Sequence, residues 1–304
     1  MGRVMLLGSA NMDLVVRTSR FPAIGETIMG SRFATFPGGK GANQAVAVGR
    51  LGGKPRFVAK IGNDAFGREL LQSLGSRGVD TGSVIMDPTH ETGIAAITVD
   101  DEGRNTIVVA PGANGHLYPD EAVDAIEEIQ PGILLAQLEI PLETVLAAAL
   151  ALPSDKLFIL NPAPARELPD ELLQRVDYLT PNETEAEFLT GIQLTNDESC
   201  IEAADILFAR GVKNVIFTLG AQGCFLATPF FGQSLPTLAV HAIDTTAAGD
   251  AFNGALAHFL AQGRDIDNAA LLANVVGALS TTKEGAQSSM PSLRDVREHA
   301  GELL

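Results

Sequence analysis

Tryptophan is absent from this 304-residue chain, tyrosine occurs twice, and aromatic residues make up only 5% of it. Hydrophobic residues still reach 46%, so the core has to be filled by Ala, Val, Leu and Ile, the packing set of helices laid on a parallel sheet. Cysteine is scarce too. Cys200 and Cys224 have neither metal-site nor redox-pair spacing and lie in apolar stretches, so buried, inert thiols are expected. Basic residues fall short of acidic ones, 21 against 37, for a formal charge of −16. Such a field repels phosphodiester backbones and anionic lipid, which argues against nucleic acid and membrane surfaces as partners. Its plainest role is solubility. Long apolar runs are missing as well. Val145 to Leu152 falls far below the roughly 20 residues of a membrane span, and the stretch from Met1 to Ser9 is too short for a signal peptide. A cytoplasmic protein is expected. His90, His116, His241, His258 and His299 form no metal-ligand pattern, which disfavours a zinc enzyme. No Gly-x-Ser-x-Gly elbow is present, which disfavours a hydrolase of that design.

What is present is a rhythm of strand and helix. Val4 to Leu7 is a short apolar run ended by Gly8-Ser9, the pattern of a buried parallel strand. Helical periodicity follows at Ala42 to Leu51, Asp64 to Leu74, Pro119 to Ile129, Glu143 to Leu150, Asn182 to Leu189, Asn196 to Arg210, Gly249 to Ala261 and Asn268 to Thr282. Strand-like runs fall between them at Arg56 to Ile61, Ile133 to Gln137, Phe158 to Leu160, Tyr178 to Thr180 and Val215 to Leu219. Repeated alternation of this kind predicts an α/β fold with a doubly wound, mostly parallel sheet flanked by helices. Four further segments alternate apolar with polar: Leu14 to Arg17, Thr27 to Phe33, Gly93 to Val99 and Asn105 to Val109. They read as strands covered on one face only, drawn from about 14–34 and 93–110, and are expected to form a small separate sheet. No linker, repeat or low-complexity tract divides the chain, so a single domain over 1–304 is expected.

Ligands of open α/β sheets sit beyond the carboxyl ends of the strands, where this chain places polar residues: Ser9 and Asn11, Gln137 and Glu139, Asn161, Thr180 and Asn182. The sharpest segment is Asp244-Thr245-Thr246-Ala247-Ala248-Gly249-Asp250, which runs into an amphipathic helix. Small residues at a helix start leave unpaired N–H groups that can hold an anion and let a phosphate come close. Asp250 in the first turn is either a residue favoured by the helix dipole or a base. An acid at an anion hole repels the anion, which makes sense if it accepts a proton from an attacking hydroxyl. Pro37-Gly38-Gly39-Lys40-Gly41-Ala42-Asn43-Gln44 is either a plain turn before a helix or a cradle bringing backbone, Lys40 and Asn43 to a polar ligand. Its spacing fits neither the nucleotide P-loop nor the dinucleotide fingerprint. Asn11 and Asp13 fit an Asx turn as well as a hydroxyl-binding pair. Asn182 with Glu185 makes a good helix cap. Thr218 to Gly223 is a hairpin turn or a nucleotide-contacting loop.

The segments Gly38 to Gln44 and Asp244 to Asp250 resemble the two signatures of the PfkB-type carbohydrate kinases. Asn161-Pro162-Ala163-Pro164-Ala165-Arg166-Glu167-Leu168, Thr180 to Glu187, Gly112-Ala113-Asn114 and Lys283-Glu284-Gly285-Ala286-Gln287 are similar to the ribokinase branch of that family, and the likeness runs in order through essentially the whole chain. The resemblance implies a ribokinase-like fold with a small β-sheet lid, and ATP-dependent phosphorylation of the primary 5-hydroxyl of D-ribose to D-ribose 5-phosphate. Asn11, Asp13, Gly39, Lys40, Asn43 and Glu139 match the positions that hold the sugar. Asp250 matches the general base, and Ala247, Ala248 and Gly249 the anion hole. Asn182, Thr218, Gly220, Gly223 and Gly249 match the ATP-binding positions, with Asn274 near the adenine, where some relatives carry histidine. Asp244, Thr246, Ser280, Lys283, Gly285 and Ser289 match a K⁺ site. MgATP as donor, with Mg²⁺ on its polyphosphate, and a homodimer formed through the lids are also implied. A kinase for 2-deoxyribose, fructose or adenosine is the nearest alternative. A non-catalytic sugar or nucleotide sensor on the same fold is the other.

Overall fold

A computed structural model describes residues 2–301. The chain opens with β1 (Val4–Leu7), then passes through β2 (Asn11–Arg17) and β3 (Arg32–Gly38) into α1 (Lys40–Arg50). β4 (Arg56–Gly62), α2 (Ala65–Ser76) and β5 (Asp80–Asp87) follow, then β6 (Gly93–Val99) and β7 (Asn105–Ala110). α3 (Pro119–Ile129), β8 (Ile133–Ala136), α4 (Leu142–Ala151), β9 (Leu157–Leu160), α5 (Asp170–Leu173) and β10 (Tyr178–Leu179) continue the alternation. α6 (Glu183–Thr190) and α7 (Asp197–Ala209) precede β11 (Val215–Thr218), β12 (Cys224–Ala227) and β13 (Gly232–Leu235). α8 (Ala248–Ala261), α9 (Ile266–Ser280) and α10 (Leu293–Ala300) complete the order.

Nine strands form one sheet in the order β13-β12-β11-β10-β9-β8-β1-β4-β5. All neighbours from β5 to β11 pair in parallel, and only the β11–β12–β13 edge is antiparallel. Side chains alternate between the faces of a strand. Val4 and Leu6 therefore enter a core shared with α1, α8 and α9, while Met5 and Leu7 enter a second core under α3, α4 and α7. The strand order reverses between β1 and β8, and a crevice opens at such a switch point.

Local signals explain many of the helix ends. Asp64 caps α2 by accepting the Gly67 N–H, Asn182 and Glu185 form a capping box at α6, and Gly191 ends α6 in the left-handed region. Pro119 opens α3, where its missing N–H costs nothing.

A second sheet, ordered β3-β2-β6-β7, carries the half-exposed strands. The expected strand over Thr27 to Phe33 is a correction: residues 27–31 lie in the connection, and the strand is Arg32–Gly38. β3 pairs with β2 along its whole length, from Arg17 opposite Arg32 to Asn11 opposite Gly38. Its segment does not alternate strictly, with Phe33 and Ala34 both apolar, and pairing with β2 fixes it as a strand; Pro37, without an N–H, is tolerated because β3 is an edge strand. β5, α5, β12, β13 and α10 have no counterpart among the expected elements. β5 is a long edge strand whose polar start, Asp80-Thr81-Gly82-Ser83, resembles a loop, and β13 is a short, polar edge strand.

Candidate active site

Four chain segments pass between the two sheets, at residues 8–11, 38–40, 87–93 and 110–117, and the first two bring Asn11 and Lys40 to the mouth of the crevice. Gly39 sits at φ 88°, and a Cβ on it would lie 2.7 Å from the Asn11 nitrogen. Only glycine permits this approach of β2 to α1. Glu139, just beyond β8, is locked beneath them. It accepts the Lys40 N–H at 2.9 Å and the Ser9 hydroxyl. Asn11 is held from the other side by Asn114, whose Nδ2 donates to its Oδ1 at 2.7 Å.

Asp13, two residues along β2, lies close enough to feel the charges of both Glu139 and Asp250. Burial, together with the charges of Glu139 and Asp250, pushes its carboxyl up to about 7. Lys40 is the compensating cation. Burial works against its charge, yet Asp250, Glu139 and Glu185 hold its ammonium above the ordinary lysine range.

Asp250 lies at the start of α8 and is 6% exposed. Asn43 donates to its Oδ2 and Gln44 to its Oδ1, both at 3.0 Å. Burial raises its pKa, opposed by Lys40 and by these two amides. α8 has no side-chain cap: its N-cap is Ala247, held left-handed at φ 60° and ψ 16°. The Ala248 N–H reaches Thr245 O and the Ala251 N–H reaches Ala247 O. The N–H groups of Gly249 and Asp250, as first-turn donors, have no carbonyl inside the helix to bond. An uncapped helix start facing a cleft is an anion site.

The cleft running from Asp250 along the β9–β12 edge encloses about 740 Å³. Lys40, Asn182, Thr218, Gly220, Gly223, Asn274 and the 247–250 turn all line it. Thr218 to Gly223 is the β11–β12 hairpin turn, Asn182 bridges to Thr218, and both belong to the cleft wall. Asn274 is there, but its Nδ2 is already engaged with the carbonyls of Leu235 and Pro236. It shapes the loop over the cleft.

Beside the cleft, Asp244 joins two loops: Oδ1 accepts the Thr246 N–H and Oδ2 the Gly285 N–H. Ser280 and Ser289 are buried with their hydroxyls donating to Gly277 O and Ala286 O, while Lys283 is exposed. Buried Gln287 lies among them with no partner for either polar atom. Among the described residues no cluster of His, Cys, Asp or Glu suits a metal ion, so any cation here would be held chiefly by neutral oxygens. No helix among the described residues is long and apolar enough to cross a membrane. Both cysteines are buried, and burial pushes Cys200 up to about 11 and Cys224 up to about 12.

Glu185 belongs to the site although its position read only as a cap. It lines the cleft, burial raises its pKa, and it feels both Lys40 and Asp250. A capping box and a ligand-facing carboxylate have the same sequence pattern. Gln44 and Gln137, both fully buried, also gather here; polar residues at a strand end or an inward helix face were the available signal.

The sequence matches the family described as pfkB family carbohydrate kinase over residues 1–293. A ribokinase of Haemophilus influenzae is 41% identical over 295 residues, covering 96% of each chain. A deoxyribokinase of Salmonella typhi is 36% identical, covering 97% of this chain and 98% of that one. The structure of Arabidopsis thaliana ribokinase complexed with ribose and ATP superposes with a TM-score of 0.92 at 32% identity, covering 98% of both chains. With the family match running along nearly the full sequence, and the Haemophilus and Salmonella relatives at 41% and 36% identity, the chain belongs to the pfkB family of carbohydrate kinases.

Proposed function

We propose that the enzyme transfers the γ-phosphoryl group of ATP to the primary 5-hydroxyl of D-ribose, yielding D-ribose 5-phosphate and ADP. The observation that carries this reading is Asp250. Its carboxylate lies within the first turn of α8, beside the unpaired N–H groups of Gly249 and its own residue, and both face the cleft. The hydroxyl oxygen attacks the γ-phosphorus, the bond from that phosphorus to the β,γ-bridging oxygen breaks, and Asp250 accepts the hydroxyl proton. The free N–H groups of Gly249 and Asp250, at the end of the 247–250 turn, stabilise the charge on the transferring group. Asn11, Asp13, Gly39, Lys40, Asn43 and Glu139 hold the sugar, and the small sheet closes over it as a lid. Asn182, Thr218, Gly220, Gly223 and Asn274 bound the nucleotide.

Mg²⁺ bound with the polyphosphate would supply charge neutralisation, and Glu185, which lines the cleft with Asn182, would be the carboxylate to hold it, since hard cations of this kind take one or two carboxylates with phosphate oxygens. The oxygen-rich loops at Asp244, Thr246, Ser280, Lys283, Gly285 and Ser289 fit K⁺, and the unpartnered amide of Gln287 among them agrees with a polar occupant. Apolar residues left exposed on the small sheet, Phe33, Phe36, Ile107, Val108 and Val109, suit pairing with the lid of a second copy. The −16 charge supports a role free of nucleic acid and anionic membrane surfaces, and a cytoplasmic location accords with it.

Ribose and 2-deoxyribose differ by one hydroxyl, and a site built for that group discriminates strongly against its absence. The likeness to a deoxyribokinase keeps 2-deoxyribose as the second reading. ADP release measured against a panel of pentoses, hexoses and nucleosides with MgATP separates them: ribose is expected to give the highest kcat/KM, and a preference for 2-deoxyribose or fructose overturns the assignment. No turnover with any sugar would indicate a sensor.

A further inference from the structure

Beneath the cleft floor runs a buried chain of amides. Gln137 donates through Nε2 to Gln44 Oε1. Gln44 spends both hydrogens of its own Nε2, one on Asp250 Oδ1 at 3.0 Å and one on Asn161 Oδ1 at 3.1 Å. Asn161 donates to Thr180 O, the Thr180 hydroxyl to Asn253 Oδ1, and Asn253 Nδ2 to Gly249 O. Neither Gln44 nor Gln137 lines the cleft, and both are 0% exposed.

We propose that Gln44, keyed by Gln137, is a positioning residue that fixes the orientation of the Asp250 carboxylate for proton abstraction. This rests on the reading of Asp250 as base. The direction of the chain is forced. Reversing the Gln44 amide would set its oxygen against the Asp250 carboxylate and the Asn161 oxygen, and its NH₂ against that of Gln137.

The arrangement also leaves Gln137 Oε1 buried without a partner. An apolar pair of the same shape would avoid that cost, so filling space does not account for two glutamines here. Close packing brings the amides within reach. A Cβ on Gly254 of α8 would lie 2.6 Å from Gln44 O of α1, and one on Gly8 would lie 2.1 Å from Gln137 Oε1.

Asn43 and Gln44 grip the two carboxylate oxygens from adjacent positions of one helix, so the carboxylate cannot turn about its bond to Cβ without losing a donor. The charged groups interacting with Asp250 are Lys40 from α1, Glu139 from beyond β8, Glu185 from α6 and Asp13 from β2. Without the Gln44 donor the buried anion loses support, and the base is ionised only at higher pH.

The test compares kcat, KM for both substrates and the pH profile of kcat in Gln44→Met, Gln44→Glu, Gln137→Met and the Gln44→Met/Gln137→Met double variant, with folding checked by thermal unfolding. Gln44→Met is expected to lower kcat roughly 10- to 100-fold, the scale of a misplaced catalytic group, with KM values within about twofold. The acid limb of the profile moves to higher pH. Gln44→Glu, which keeps the volume and the bond from Gln137 but removes the donor to Asp250, is expected to do the same. Gln137→Met gives a smaller loss in the same direction, and the double variant is no slower than Gln44→Met, because Gln137 acts through Gln44.

A folded Gln44→Met or Gln44→Glu with wild-type kcat and acid limb overturns the proposal. So does a rise in sugar KM with kcat unchanged, or full additivity in the double variant. If Gln44→Met does not fold, Gln44→Glu and Gln137→Met decide by the same criteria. An inactive wild type would instead remove the kinase reading, so the two failures stay distinct.

Discussion

The amide of Asn114 donates to Asn11 Oδ1 at 2.7 Å and to Ala10 O at 3.1 Å, while its own oxygen accepts the Ala10 N–H at 2.9 Å. One side chain, 1% exposed, therefore satisfies both backbone groups at the crossing from the main sheet to the small one and orients Asn11, the residue proposed to meet the sugar. Asn114→Ala strands those groups, at a cost of about 1–3 kcal/mol of stability. It should raise KM for the sugar while leaving KM for ATP near its original value, as steady-state kinetics would reveal.

Asp250→Asn removes the proton acceptor but keeps the shape. An oxygen remains to accept from Gln44 or Asn43, so the fold should hold. Turnover is expected to fall about 10²- to 10⁴-fold, with sugar and nucleotide affinity retained in calorimetry. Comparable turnover in the variant would remove the general base from the mechanism.

Asp13 makes sugar binding sensitive to pH. Its carboxyl, pushed up to about 7 by burial, Glu139 and Asp250, is mostly neutral in the free enzyme at lower pH. Sugar hydroxyls donate best to the ionised form, so binding releases a proton, and affinity should weaken by at most about tenfold per pH unit below 7. The stability sign is the reverse. Between the ordinary carboxyl value and 7 the folded state binds more protons than the unfolded, so this group costs stability as pH rises. Asp13→Asn should accordingly raise Tm at pH 8 and have less effect at pH 5, while sugar binding is lost.

Potassium should accelerate the reaction, because the Asp244–Gly285 contact and the 244–246 turn lead straight into the helix start proposed to hold the phosphoryl group. Equal rates in sodium and potassium chloride at matched ionic strength would remove that site. Asp244→Ala is expected to abolish the potassium response and lower kcat, leaving sugar KM little changed.

Much of this could be read from the chain. The apolar run of Val4 to Leu7, the proline opening α3, and the glycine-rich turn before Lys40 are local patterns with local causes. The small residues before Asp250 marked a helix start, which the structure shows to be uncapped. β3 was misplaced because Arg32 to Gly38, with Phe33 and Ala34 adjacent, lacks a clean alternation, and only pairing with β2 fixes it as a strand. Glu185 was hidden by its own cap, since the box it forms with Asn182 explains the residue fully until the cleft beside it is seen.

The sequence by itself determined the α/β alternation, the composition of the core and the residues able to do phosphoryl-transfer chemistry, because periodicity, propensity and side-chain chemistry act over a few neighbouring positions. The tertiary structure alone decided which of them meet. Asn43 and Gln44 reach Asp250 across more than 200 residues, and the charge state of Asp13 depends on Glu139 and Asp250 from distant elements. Electrostatic fields and hydrogen bonds fall off with distance in space, and along a folded chain that distance is set by how β1, β8 and α8 pack.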